Sequence, residues 1–309
     1  MTGTTAALGA ASVLALAAGP GIAGLVQTLK ARLQGRRGAD PLQPYRDLRR
    51  LWRRSVVDPE GTGAAYRTAP ALIAAVTAMA VLMVPLGAAS PRWPFLGADV
   101  LLVVGLLATA RMAAAVSAWD TSAAFGMMGA ARDLAYAVSG EALLLGTLLV
   151  AALPAGTTDL RGLWAAAAEA GTWRAPAHWA GLLAMALVVL VETGRQPIDN
   201  PDTHLELTMI HEGPLLEYAG RDLAMLMWAA GARHWIVMGL AAGVFLPHPS
   251  GAVAGAVVTV LWLPVLAAAA ALTESFQAKM RLGRAPRLLA SGAVLTLLGA
   301  VAWAFGAGL

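Results

Sequence analysis

The sequence predicts an all-α integral membrane protein of about eight transmembrane helices with one amphipathic interfacial helix. Three observations carry that expectation. Apolar residues make up 58% of the 309 and charged residues only 13%, about half the charged share of a soluble domain. The apolar residues gather in runs close to the roughly 20 that a helix needs to cross a bilayer. The runs are rich in Ala and Leu and lack the alternating segments of about ten that barrel strands show.

Taken in order, the expected spans are 4–29, 70–89, 98–119, 134–154, 177–194, 223–246, 251–273 and 287–308, forming a single membrane domain over 1–309. Residues 1–29 contain no Lys or Arg, and the apolar run continues to Leu29 before Lys30. A secretory signal would begin with a basic region, so an uncleaved first span with its N-terminus outside is expected. The connections 30–67, 120–133, 195–222 and 274–286 follow spans one, three, five and seven. With the boundary Arg287 they hold 10, 1, 2 and 4 Lys/Arg, against Arg92, Arg161 and Arg174 on the other side. Cytoplasmic loops carry such an excess, which places these four loops inside, both termini outside, and the chain in the cytoplasmic (inner) membrane. In the first loop Tyr45, Leu48, Leu51, Trp52 and Val56 recur at helical spacing with Arg46, Arg49, Arg50, Arg53 and Arg54 between them. That pattern predicts an amphipathic helix whose arginines face lipid phosphates or an acidic partner.

Net charge is +4, but the basic residues sit in the loops between apolar runs, so the positive-inside pattern explains them and nucleic acid is not an expected partner. The absence of cysteine excludes disulfides, thiolate zinc sites and cysteine-ligated iron–sulfur clusters on this chain. Any electrons must be carried by partners.

Ionisable groups within spans are expensive and mark function by default. Glu141 in span four, Glu192 at the end of span five, Arg111 in span three, and Arg233 and His234 in span six qualify. A pair such as Arg111 with Glu141 that only orients helices, and a path for protons or ions, both remain open readings. From Glu192 the chain reads ETGRQPIDNPDTHLELTMIHEGPLLEYAGRD. Asn200-Pro201 is a helix start, the helix runs to about Glu212, and Gly213-Pro214 breaks it. Glu192, Asp199, Asp202, Glu206, Glu212, Glu217 and Asp222 mix with apolar residues, which suggests a segment folded against the bundle and covered by another protein chain. His204 and His211 are seven residues apart, too far to chelate one ion directly. His211-Glu212 lacks the second histidine of His-Glu-x-x-His. Neither a nucleophile elbow nor a glycine-rich phosphate loop occurs, and no internal repeat supports an inverted-repeat transporter.

Three stretches resemble one known family. QTLKARLQGRRGADPLQPYRDLRRLWRR (27–54), FGMMGAARDLAYAVSGE (125–141, with Arg132 and Glu141) and the acidic loop with Glu192, Arg195, Pro197, Asp199, Glu206 and Glu217-Tyr218 carry the likeness. They resemble the membrane subunit shared by NADH:quinone oxidoreductase (its subunit 1) and energy-converting [NiFe] hydrogenases, including formate hydrogenlyase. The first departs at Ala39-Asp40, where many members have Pro and a small residue. The wording Asn200-Pro201, Thr-His-Leu-Glu-Leu-Thr and Ile-His-Glu, with TESFQAKMRLGRAP at 273–286, looks like the hydrogenase and formate-hydrogenlyase branch (a subunit 4-like chain).

The resemblance implies a complex I subunit 1-like fold and a non-catalytic anchor and proton-coupling role. The expected partners are [NiFe] hydrogenase large and small subunits, an iron–sulfur protein and antiporter-like membrane subunits. No cofactor is expected on this chain; the [NiFe] centre and iron–sulfur clusters belong to those partners. By position, Glu141, Glu192, Asp199, Glu206, Glu212 and Glu217 would line the proton path, with Arg111, Arg132 and Arg195 as counter-charges. Gln34, Arg36, Arg37, Gln43, Asp47, Lys279 and Arg281 would dock the hydrophilic module. The alternatives are subunit 1 of a quinone-reducing, proton-pumping NADH:quinone oxidoreductase, a structural anchor without a proton role, and a stand-alone secondary transporter.

Overall fold

The computed structural model describes residues 3–87, 90, 97–199, 210–278, 280 and 284–306. Ten α-helices account for most of them: α1 (Gly3–Leu33), α2 (Gln43–Trp52), α3 (Ala64–Met83), α4 (Val100–Asp120), α5 (Ala124–Ala155), α6 (Leu160–Ala167), α7 (Pro176–Glu192), α8 (Gly220–Phe245), α9 (Ala252–Phe276) and α10 (Ala285–Ala304). Seven of these are long and apolar enough to cross a membrane, and α7 is a shorter apolar helix over Pro176–Glu192. These eight correspond in order to the eight expected spans. No strand occurs among the described residues; Asp99 and Asp159 form an isolated antiparallel bridge.

Two elements differ from the sequence reading. Helix α5 begins at Ala124, so the expected loop 120–133 shrinks to a short turn. Residues 124–133 contain no proline to break a helix, and Arg132 and Asp133, which read as loop charges, ride on the continuing helix. Helix α6 is an element the hydropathy pattern does not predict. It is short, and Asp159 caps it by accepting from Arg161 N–H, the role for which Asp is favoured at helix starts.

Helix α3 packs on α4 and α8, α1 on α8 and α9, and α7 on α5 and α10. The connections after α1, α4, α7 and α9 gather at one end of the bundle. Asp120 at the end of α4 accepts from Gly63 N–H at 3.0 Å and Tyr66 N–H at 2.9 Å, capping α3. Tyr66 and Tyr218 stack with centroids 4.3 Å apart. Tyr66 donates to the Glu217 carbonyl and Tyr218 to the Tyr66 carbonyl, each at 2.9 Å. Burial pushes the Tyr218 phenol up to about 12, so it stays a neutral donor. Met280 N–H donates to the Pro197 carbonyl at 2.8 Å. This convergence matches the four loops expected on a common side.

The amphipathic helix is present as α2, shorter than the Tyr45–Val56 pattern. Its contact with α1 has a specific cause. Pro20 lies inside α1, lacks an N–H and leaves the Leu16 carbonyl without its helical donor. The Trp228 indole of α8 donates to that carbonyl at 2.9 Å. One residue on, the Tyr45 hydroxyl enters the helical ladder: Gly21 N–H donates to it at 3.0 Å and it donates to the Ala17 carbonyl. Side-chain insertion of this kind kinks a helix, and here it joins α2 to α1.

Candidate functional site

The centre of the site is Arg111, 4% exposed in the body of α4. An isolated guanidinium there would be costly, so it draws carboxylates from other helices. Its Nη2 lies 3.0 Å from Glu192 Oε2 of α7, and its Nη1 lies 3.2 Å from Glu141 Oε1 of α5. Its Nε is 3.7 Å from Asp133 Oδ2, also of α5. Arg233 of α8 reaches Glu192 Oε2 at 3.5 Å. Three carboxylates therefore meet two guanidiniums, so the fully ionised cluster carries a net −1 and one proton neutralises it.

A second ionic group stands at the loop end. Arg195 Nη1 lies 3.2 Å from Glu274 Oε2 of α9, and Lys30 Nζ of α1 lies 3.6 Å from Glu274 Oε1. Arg195 Nη2 is 3.1 Å from His234 Nε2, while His234 Nδ1 is 3.1 Å from the Ala230 carbonyl. These contacts assign the ring proton to Nδ1 and leave Nε2 to accept from the arginine. Lys30, Arg195 and Glu274 are all buried, and together with His234 they tie α1, α8, α9 and the loop after α7.

Between the groups lies a cavity of about 340 Å³ whose wall includes Arg111, Asp133, Glu192, Arg195, Asp199, His211, Glu212, Arg233 and His234. Pro20, Ala23 and Gln27 of α1 and Pro44, Asp47 and Leu48 of α2 also line it. Asp199 connects to His211 at 3.1 Å. Gly129 of α5 and Gly213 touch backbone to backbone, since a Cβ on Gly129 would sit 2.6 Å from Gly213 Cα. Two glycines are what let the 210–216 segment lie this close to α5.

Of the residues singled out in the sequence, Arg111, Glu192, Arg195, Asp199 and Glu212 line this cavity, and Glu141 joins them through Arg111 without lining it. Glu217 does not line it; its carbonyl holds Tyr66. Arg132 is half-buried on α5, its guanidinium 4.0 Å from Met128 Sδ. In the first loop Gln34 accepts from Arg36, Gln43 donates to Asp47 at 3.1 Å, and Arg50 pairs with Asp47 at 3.0 Å. Arg36 and Arg37 are exposed. Glu206, Lys279 and Arg281, and most of the helix expected from Asn200, lie outside the described residues. Among the described residues no group of three or more His, Cys, Asp or Glu is placed to hold a metal ion.

Asp133, Lys30, Glu274 and the bridging position of His211 are not legible as site residues in the sequence. Lys30 and Glu274 sit where spans end, and a charge there reads the same whether it faces water or turns inward.

The family described as NADH dehydrogenase matches residues 6–305. Formate hydrogenlyase subunit 4 of Escherichia coli (strain K12) is 30% identical, covering 91% of this chain and 92% of its own length. Hydrogenase-4 component C of the same organism is 33% identical over 77% of this chain and 74% of its own. The corresponding membrane subunits of NADH-quinone oxidoreductases are more distant matches. Among solved structures, a chain of the membrane-bound sulfane sulfur reductase, an archaeal respiratory membrane complex, superposes with a TM-score of 0.83 at 18% identity, covering 97% of this chain and 99% of that one. That likeness establishes the fold. With eight apolar helices around a buried ionic cluster, the chain belongs to the NADH dehydrogenase family, as a membrane subunit of the complex-I-like hydrogenase or respiratory type.

Proposed function

We propose that this chain is the non-catalytic anchor and proton-coupling subunit of a complex-I-like [NiFe] hydrogenase or formate hydrogenlyase, placed between a hydrophilic redox module and antiporter-like membrane subunits. The observation that carries this reading is the Arg111 cluster: three carboxylates and two guanidiniums from four helices, with Arg111, Asp133, Glu192 and Arg233 on the wall of a cavity that loop residues Asp199 and His211 also line. A charge change in a redox partner at the loop end would shift the balance of this cluster and move a proton on or off its carboxylates. The exposed arginines of α2 and the loop around it offer the docking face, with the [NiFe] centre and iron–sulfur clusters in the partners. The positive-inside pattern supports the loop end facing the cytoplasm from the inner membrane, with both termini outside.

A second reading, the equivalent chain of a quinone-reducing complex, draws on the cavity itself, which has apolar residues on the α1 side. Tagging the chain and identifying what co-purifies separates the two. A [NiFe] large subunit with iron–sulfur proteins supports the first; flavin- and NADH-binding subunits would replace it with the second, and a lone active monomer would point to a transporter. Within the complex, Glu141→Gln should leave assembly intact and slow coupled proton transfer by about tenfold or more. Wild-type proton transfer in that variant would remove Glu141 from the path.

A further inference from the structure

The segment returning from Asp199 to α8 places an imidazole between two carboxylates. His211 Nδ1 lies 3.1 Å from Asp199 Oδ2, and its backbone N–H donates to the same oxygen at 3.4 Å. Its Nε2 lies 3.7 Å from Asp133 Oδ1. The other oxygen of Asp133 faces Arg111 Nε at 3.7 Å, and Arg111 holds Glu141 and Glu192. A continuous line of contacts thus runs from the loop carboxylate, through one ring, to the membrane-buried cluster.

The position is built to hold the ring. Gly194 has φ +62°, and a Cβ there would lie 3.0 Å from His211 Nδ1, so any other residue would be strained and would push on the imidazole. The ring is 27% exposed and lines the cavity, which puts it in reach of water. Imidazole suits this place for a chemical reason: it takes a proton on one nitrogen and releases another from the opposite nitrogen near neutral pH. The group it faces carries three carboxylates against two guanidiniums, so a proton delivered at Asp133 meets a net negative charge.

We propose that His211 carries protons between Asp199 and the cluster at Asp133, a role that rests on the proton-coupling reading above. The Asp199 carboxyl O–H breaks as an N–H bond forms at Nδ1. The Nε2–H bond then breaks as an O–H bond forms at Asp133 Oδ1. The ring is left neutral with its proton on Nδ1, and water in the cavity restores the starting tautomer by taking that proton from Nδ1 as it gives one to Nε2. One proton moves per cycle, and no electron does. His211 differs from the acids in the path because its two polar ends face the two sides.

The test uses inverted membrane vesicles containing the whole complex, with dihydrogen evolution driven by reduced viologen and proton movement followed with an acridine dye. His211→Gln keeps hydrogen-bonding capacity at the ring position but cannot relay a proton. It should assemble normally, judged by co-purifying subunits, and lose proton transfer by about tenfold or more. His211→Ala should be rescued by imidazole added at millimolar concentration, since the cavity is large enough to admit it. Wild-type proton transfer by His211→Gln overturns the proposal, as does loss of assembly in both variants, which would make His211 a structural tie. Glu141→Gln in the same vesicles separates the two levels. If it loses proton transfer while His211→Gln does not, only the role of His211 falls; if both transfer at the wild-type rate, the coupling reading falls with it.

Discussion

Arg111 Nη2 lies 3.0 Å from Glu192 Oε2, with side chains 3% and 0% exposed, so α4 and α7 are joined through a charge pair almost wholly removed from solvent. Removing Arg111 would leave three buried carboxylates facing Arg233 alone, and breaking a buried pair in this way typically costs about 3–5 kcal/mol. Arg111→Met should therefore destabilise the purified complex strongly in a thermal melt. Adding Glu192→Gln to it should recover part of the loss, because it returns the cluster to its original net −1 and leaves Arg233 to face Glu141 and Asp133. A double variant no more stable than the single one would show that the pair is not the source of the cost.

The Tyr45 hydroxyl bridging Gly21 N–H and the Ala17 carbonyl makes a prediction about α2. In Tyr45→Phe both backbone groups lose their partner, at a cost of about 1–3 kcal/mol for each group left unsatisfied. Amide exchange should quicken at Gly21 and across Gln43–Trp52, while α3 and α4 stay unchanged. Unaltered exchange in α2 would mean that its attachment does not depend on this hydroxyl.

Backbone contact between Gly129 and Gly213 fixes the distance from α5 to the 210–216 segment. Gly129→Ala inserts a methyl where there is no room and should cost about 1–3 kcal/mol. It should also displace His211 and lower proton transfer. Gly105→Ala on α4, where a Cβ meets nothing within 4 Å, is the matched control and should be neutral or slightly stabilising. Equal melting temperatures for the two variants would refute the close-approach argument.

His248, in the connection between α8 and α9, is buried, stacks on Trp164 with centroids 4.0 Å apart, and makes a 3.0 Å hydrogen bond from Nε2 to the Gly243 carbonyl. Burial holds its pKa below the usual histidine value. A depressed histidine is neutral in the folded state, so its contribution to stability is complete above the unfolded pKa of about 6.5 and shrinks as pH falls below it. The complex should melt at a lower temperature at pH 5.5 than at pH 7.5. His248→Phe should flatten that difference, and a slope left unchanged would assign the effect to other groups.

Much of this arrangement is legible in the sequence, for reasons specific to membranes. Runs such as 98–119 and 251–273 read as spans because a bilayer demands length and apolarity, and α4 and α9 fall on them. Glu141, Glu192 and Arg111 stand out because a charge in such a run is costly. Asp133 does not, because it lies next to Arg132 in a stretch that reads as polar loop, and only the continuation of α5 from Ala124 turns it toward Arg111. Along the sequence His211 invites comparison with metal-ligand motifs; in the structure it lies between two aspartates.

By itself, the sequence determined what hydrophobic length, charge placement and local motifs can determine: the helical membrane class, the eight apolar segments, the end of the bundle where the loops gather, and the family. The tertiary structure decided which charges meet. Pairing Arg111 with Glu192, 81 residues away, or Lys30 with Glu274, depends on the rotation of each helix about its axis and on the depth at which helices pack. Those are set by contacts between side chains distant in the chain, which a one-dimensional pattern does not record.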